Sequence, residues 1–357
     1  MTQTGKVLFV TGATGVLGRP AVRGLVDAGH RVRGVARTPA KAAELRAAGA
    51  EPVEVDLFDA AAVKGATAGA EAILHLATHI PRLEDMRKPD AWRTNARLRT
   101  EATRYLLDAA HAHGIATFVK ESITFPYADG GTRWIDETWE YGGARGVMRD
   151  TIEGERLVDE FVAAGGHGVT LRFGAFLAPD AHHTDAYLRL ARRRIAPGAG
   201  RPRSYTSSIH SADAASAVVA ALDAPAGVYN IVDDEPLTRR DFTDAFSAAF
   251  GLGHLFITPP WLMKLLGRST ADYLLRSQRV SNRKFREATG WAPRHRSARE
   301  AWAAVAAARP GMQETQRSRA RTSGTAERSR PEMQETQRSR ARTSGTAERS
   351  RPGMQEG

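Results

Sequence analysis

Lys6-Val7-Leu8-Phe9-Val10-Thr11-Gly12-Ala13-Thr14-Gly15-Val16-Leu17-Gly18 decides the fold. An apolar run ends in glycines at 12, 15 and 18, and a segment of helix-forming composition follows. Gly12 permits a tight turn off a strand, Gly15 lets the backbone approach a pyrophosphate, and Gly18 lets the next helix pack against that strand. The unpaired N–H groups that open this helix then face an anion. Spaced glycines alone match many strand-to-helix turns. Here a second strand signal, His30 to Ala36, follows one helix later, which is the order of a βαβ unit.

The Thr-Gly-x-x-Gly-x-x-Gly form resembles the short-chain dehydrogenase/reductase superfamily, and later segments resemble its extended, epimerase/dehydratase-like branch. Val53 to Leu57 resembles the third strand, whose Asp56-Leu57 end lies beside the adenine in that family, and Ile73 to Thr78 resembles the fourth strand and the loop passing the cofactor. Asn95 stands where the family has a structural Asn, ahead of a helix running to Ala112. Phe118 to Ser122 resembles the fifth strand, which carries the active-site serine. Ile209 to Ala215 and Thr289 to Pro293 resemble late motifs of the branch, so the likeness spans residues 5–305.

The resemblance implies an α/β fold, a doubly wound Rossmann parallel sheet with a smaller C-terminal substrate lobe. Residues 1–177 would form the nucleotide-binding domain, with 208–232 returning to it, and 178–207 plus 233–310 the lobe. It also implies a cofactor lying against Gly12, Thr14, Gly15, Val16, Leu17, Asp56, Leu57, Leu76, Ala77, Thr78 and Thr151. Many relatives pair through two long helices, which leaves a homodimer as an open expectation.

With 357 residues and 42% hydrophobic content, the chain can bury a full core. No apolar run approaches the roughly 18–20 residues of a membrane span, and the first strand begins too early for a signal peptide. The absence of cysteine excludes disulfides, thiolate catalysis and Cys-ligated zinc. These features lead to the expectation of a soluble, cytoplasmic enzyme.

A net charge of +11 raises a nucleic-acid reading, but residues 311–357 hold ten Arg against six Glu, leaving +7 for the rest. In that tail a unit opening Met312-Gln-Glu-Thr-Gln-Arg recurs from Met333 and begins again at Met354, a period of 21 residues with no apolar face to stack. The composition is that of a disordered extension. No aromatic interleaves with its arginines, which argues against base stacking and against nucleic acid as the partner.

Cofactor preference turns on the end of the second strand, where a carboxylate favours NAD and a basic residue accepts the 2′-phosphate of NADP. The strand ends Val35-Ala36-Arg37-Thr38, so NADP is expected, with NAD as the alternative. One guanidinium can both stack on the adenine and fork onto phosphate oxygens.

In the family resembled, a Ser or Thr orients the substrate, a Tyr is the acid/base, and a Lys four residues later lowers the Tyr pKa and holds the ribose. Anchoring the family's glutamate on Glu155 puts Thr151 at the lysine position and Val147 at the tyrosine position. Neither residue can do that chemistry, since valine has no titratable proton and threonine no charge. Tyr141 and Arg145 have the right spacing, but Gly142 and Gly143 argue against a helix there. Ser122 or Thr124 can still fill the serine role, and Tyr127, Tyr141, Asp150 and Glu153 are the other candidate proton donors, the last two reading as solvated helix residues.

Three classes of function stay open. One is an atypical NADP-dependent oxidoreductase or epimerase acting on a small carbonyl or hydroxyl metabolite. The others are a non-redox cyclase, dehydratase or isomerase on the same fold, and an inactive cofactor-sensing binding protein. Arg192, Arg193, Arg194, Arg201 and Arg203 suit an anionic small-molecule substrate or a basic solvated helix alike. Thr78 to Trp92 would cap the site, with His79, Arg82 and Trp92 as contacts. His182-His183 reads as a loop with two exposed histidines rather than a zinc site. Trp261, Trp291 and Trp302 read as packing.

Overall fold

A strand that is apolar on both faces belongs in the middle of a covered sheet, and the first strand meets that description. In β1 (Val7–Thr11), Leu8 and Val10 enter one apolar layer while Phe9 enters the other. In the computed structural model, which describes residues 5–82, 84–86, 88–143, 147–266 and 275–309, β1 lies inside a seven-stranded sheet. Its partners are β2 (Arg31–Val35), β3 (Glu51–Val53), β4 (Ala72–His75) and β5 (Thr117–Ile123). After β6 (Trp134–Ile135), which lies elsewhere, come β7 (His167–Phe173) and, later, β12 (Gly227–Ile231).

The strand order is β12-β7-β5-β4-β1-β2-β3, and every pairing in this sheet is parallel. The order reverses between β1 and β4, the crevice where open α/β sheets take their ligands. On one face, α1 (Gly18–Asp27) packs through Ala21, Val22 and Leu25. On the other lie α3 (Ala60–Thr67), following α2 (Pro39–Ala47), and α5 (Thr103–His113), reached through α4 (Arg93–Arg97) and a π-helical turn, Leu98–Ala102. The long helix α6 (Val147–Ala163) joins that second face with Leu157 and Val158. Burying one such Leu or Val side chain contributes about 1.5–3 kcal/mol.

Capping follows the sequence. Thr38 accepts the Lys41 N–H ahead of Pro39 in α2, Asp59 accepts from Ala61 and Ala62 at the start of α3, and Gly114 ends α5 with φ of +65°.

Short parallel and antiparallel pairs build the region beyond the sheet. β8 (Ala175–Leu177) pairs with β11 (Ser208–His210), β9 (Ile195–Ala199) with β14 (Phe256–Thr258), and β10 (Tyr205–Thr206) with β13 (Leu237–Thr238). β15 (Arg279–Val280) pairs with β6. The helices here are α7 (His182–Ala191), α8 (Ser211–Ala220), which packs back on α1's face, α9 (Arg239–Ala249), α10 (Pro260–Leu266), α11 (Arg283–Thr289) and α12 (Ala298–Ala307). The chain divides after Ala306, and of the second unit only residues 307–309 are described, so the expectation for the Arg-rich repeats lies outside the described residues. Among the described residues no helix is long and apolar enough to cross a membrane.

Three expectations need correction. The third strand is shorter and earlier than Val53 to Leu57, because it leaves the edge of the sheet after Val53 and Asp56 turns back to accept the Phe58 N–H at 2.9 Å. His182 and His183 open helix α7 rather than lie in a loop, and His183 packs against Tyr187 while its Nε2 donates to the Phe176 carbonyl at 2.8 Å. Trp302 is fully buried and Trp291 nearly so, but Trp261 is 64% exposed on α10.

Candidate functional site

The glycine loop builds a cradle whose three glycines do different work. Gly12 has φ of +68°, and a Cβ there would lie 2.6 Å from the backbone of Leu76 and Ala77, so its bareness brings the loop against the end of β4. A Cβ on Gly18 would strike the Gly12 carbonyl and Ala13, so this glycine seats α1 on the strand. Gly15 is exposed, and its Cβ would meet only the Gly12 oxygen at 3.3 Å. The open side of the loop is therefore at Gly15, beside Thr14 and Val16. Helix α1 starts with no side-chain cap at Leu17; Arg19 N–H donates to the Gly15 carbonyl at 3.1 Å and Pro20 has no N–H, so at the helix start it is the Gly18 N–H that stays open to an anion.

Arg37 follows β2, the neighbour of β1. It is exposed, and among the described residues its guanidinium has no hydrogen-bond or ion-pair partner. Thr38 beside it caps α2. At the other end, Leu76 N–H donates to the Thr11 carbonyl at 3.2 Å, and Ala77 and Thr78 continue outward. Asn95 is buried and accepts the His79 N–H at 3.0 Å, which ties the capping loop to α4. These residues fit a dinucleotide: a bare glycine approach, a helix start without a side-chain cap and an exposed arginine beyond the second strand.

Beneath the loop, His75 is locked. The Leu98 carbonyl, in the π turn, can only accept, so the His75 Nε2 at 2.9 Å carries the proton and Nδ1 accepts from the Thr11 hydroxyl at 2.7 Å. Burial, aided by Lys120 nearby, pushes the His75 pKa down to about 3, so the ring stays neutral.

A buried polar network occupies the C-terminal ends of β5 and β7. The hydroxyl of Ser122 donates to Glu155 on α6, and Arg172 on β7 reaches both Glu155 oxygens through Nε at 3.0 and 3.2 Å. Tyr141 donates to Glu155 Oε2 at 2.5 Å and also meets Arg172. Tyr127 is fully buried, donates to Asn230 Oδ1 at 2.8 Å and accepts from Arg172 at 2.7 Å. Burial raises the pKa of both phenols, the charge of Glu155 adding to the rise at Tyr141 and the charge of Arg172 opposing it at Tyr127.

The structure thus brings Ser122, Tyr127 and Tyr141 around Glu155 and Arg172. Thr124 lies two residues along the chain from Ser122, with its N–H on the Phe173 carbonyl at 3.0 Å, and Thr151 is buried one turn before Glu155 on α6. Tyr141 lies ahead of α6 in an isolated bridge to Tyr127. Arg145 and the side chain of Val147 lie outside the described residues.

A separate cluster, His210, Asp213 and His295, has ligand-type atoms within 4.8 Å of one another. Its hydrogen bonds use those atoms otherwise. His210 Nδ1 accepts the Ala212 N–H, which leaves the proton on Nε2, and Asp213 takes the N–H groups of Arg294 and His295 together with His295 Nδ1.

The sequence profile of the NAD dependent epimerase/dehydratase family matches residues 8–232. The chain belongs to this family. Its fold is that of nicotinamide-dependent enzymes with a Rossmann sheet, and among curated relatives it is similar to a 3-diazoavenalumate denitrifying reductase from a Streptomyces species. That relative is 32% identical over 307 residues, covering 82% of this chain and 98% of the relative. Among solved structures, the human epimerase family protein SDR39U1 with NADPH superposes at a TM-score of 0.68 with 22% identity, covering 85% of this chain and 99% of the other. MoeE5, in complex with UDP-glucose and NAD, superposes at 0.67 with 21% identity over 88% and 99% of the two chains. One of these two neighbours thus holds NADPH and the other NAD.

The sequence reading missed Arg172, Asn230, Lys120 and Arg99 as members of the buried polar set. A signal was present: a charged residue inside an apolar parallel strand, as in Val169-Thr170-Leu171-Arg172-Phe173 or Phe118-Val119-Lys120-Glu121, has to find a buried partner.

Proposed function

We propose that this chain is an NADPH-dependent reductase whose acceptor takes a hydride without a proton from a Tyr-Lys pair, and that an aryl diazo compound is that acceptor. The observation carrying the proposal is the state of the phenols near the reaction site. Tyr127 and Tyr141 donate inward, to Asn230 and Glu155, and Thr151 stands four residues before Glu155 on α6, the place that the family resemblance gives to the lysine. A carbonyl accepting a hydride becomes an alkoxide and needs a proton at once, and among the described residues both phenols of this arrangement point their protons away, to Asn230 and Glu155. Bound in the cradle, a nicotinamide supplies a hydride, which an arenediazonium converts to an arene and dinitrogen with no proton taken from the protein.

The relative named as a denitrifying reductase of a diazo compound supports the same acceptor class. Arg37, exposed and without a partner among the described residues, supports NADP over NAD, since its guanidinium can fork onto a 2′-phosphate. Gly15 and the start of α1 would hold the pyrophosphate, and Ala77 and Thr78 would pass the nicotinamide towards β5.

The test mixes the full chain with NADPH and a benzenediazonium carboxylate, and follows loss of the nicotinamide band against aldehyde and ketone controls. Oxidation of NADPH by the diazonium above the protein-free rate, with the carbonyls inert, is the expected result. Turnover of a carbonyl, or conversion of a sugar nucleotide with no net cofactor change, would replace this reading with the oxidoreductase or epimerase alternatives.

A further inference from the structure

The turn after β5, Thr124 to Tyr127, leaves the sheet, and Pro126 O accepts the Gly142 N–H at 2.8 Å beside the Tyr127 to Tyr141 bridge. Buried carbonyls need donors, and the further donors to this turn come from far along the chain. Arg276 NH1 donates to the carbonyls of Phe125, Pro126 and Tyr127 at 3.3, 3.2 and 3.0 Å, and its NH2 to Gly142 O at 2.5 Å. Gln278 Nε2 donates to Thr124 O at 3.2 Å and Tyr127 O at 3.0 Å. The segment is itself anchored: Ser277 accepts the Gly130 N–H at 2.9 Å, and Arg239 donates to the Arg276 carbonyl at 2.7 Å. Gly142 is bare where Arg276 passes, since a Cβ there would lie 2.6 Å from Arg276 Cζ.

This strap, residues 276–278, grips both backbone stretches that carry the phenols, on either side of the Tyr127 to Tyr141 bridge. The strap adds to backbone bonds already there, Tyr127 N–H to Thr124 O at 3.1 Å within the turn, and Gly142 N–H to Pro126 O at 2.8 Å and Ala128 N–H to Glu140 O at 2.9 Å between the two stretches. We propose that Arg276 and Gln278 are positioning residues, which set where Thr124, Tyr127 and Tyr141 stand relative to the reacting atoms. The functional part of this inference rests on the reductase reading above. Among the described residues no hydrogen bond joins the cradle at Gly12 to Gly18 to the strap, so cofactor binding and positioning should separate.

The experiment compares wild type, Arg276→Lys and Gln278→Met. It measures NADPH affinity by fluorescence, steady-state reduction of the benzenediazonium probe, and amide hydrogen exchange over residues 7–18 and 124–131. A lysine keeps the charge but not the planar fork that spans several carbonyls. The expected result is a kcat lowered about tenfold to a hundredfold, as for small misplacements of reacting groups, with KM for NADPH and exchange at 7–18 unchanged and exchange at 124–131 faster. Unchanged kcat and exchange overturn the proposal. So does a parallel loss of NADPH affinity and protection everywhere, which marks a general stabilising role. If wild type leaves the probe untouched, the reductase reading has failed, and the exchange comparison alone decides whether the strap holds the turn.

Discussion

Arg172 NH2 lies 2.7 Å from Glu155 Oε2, a pair joining β7 to α6 in which both side chains are less than one-tenth exposed. Each side chain is also hydrogen-bonded by neighbours, Tyr127 and Tyr141 on the arginine and Ser122 and Tyr141 on the carboxylate. Removing one member leaves the other buried and uncompensated, which costs about 3–5 kcal/mol. Glu155→Ala should therefore lose roughly that much in a urea titration. A loss near zero would mean that the network relaxes around a water and does not bind the two elements together.

Arg37→Ala tests the cofactor assignment. A charge-assisted hydrogen bond to phosphate is worth about 1.5–3 kcal/mol, so NADPH affinity should fall by about tenfold or more while NADH affinity holds. Equal changes for both nucleotides, read by fluorescence titration, would remove Arg37 from 2′-phosphate recognition.

Two glycines of one loop should behave in opposite ways. Gly15→Ala adds a methyl on the exposed side, so the melting temperature should hold while nucleotide binding is lost. Gly12→Ala forces a positive φ and a clash with the end of β4, and should lower the melting temperature first. Thermal melts with and without NADPH separate the two, and a Gly15→Ala protein that binds normally would place the pyrophosphate elsewhere.

Lys120 sets a pH dependence of stability. Its ammonium is fully buried on β5, donates to Thr103 at 3.2 Å, and has its pKa pushed down to about 7, first by burial and then by Arg99. Because the unfolded lysine holds its proton up to about pH 10.5, the unfolded state binds more protons between those values and stability rises with pH across that window. The penalty is fully present below pH 7 and gone above the unfolded value. Lys120→Met should accordingly stabilise the protein most at low pH, with the gain shrinking as pH rises through the window. A gain independent of pH would show that Lys120 does not titrate in the folded protein.

The succession of strands along the chain, and with it the fold class, was legible because the glycine loop, the Asn95 helix and the apolar runs are local patterns, each read within a few residues. β3 was placed too late because Val53 to Leu57 alternates like a strand although its backbone turns at Asp56. The polar network was not legible in the same way. Tyr127 meets Asn230 across 103 residues of chain, and Arg276 reaches Phe125 across 151, so the partners are named only by the fold. Trp261 was misjudged because residue type alone was asked to decide burial, and α10 leaves it 64% exposed.

The most direct test of the central claim is the ratio of dinitrogen released to NADPH oxidised when the full chain acts on a nitrogen-labelled arenediazonium, measured by gas mass spectrometry. A one-to-one ratio, with the arene as the other product and a rate above the protein-free control, is the predicted result. NADPH oxidised without labelled dinitrogen, or turnover confined to carbonyl acceptors, would contradict it.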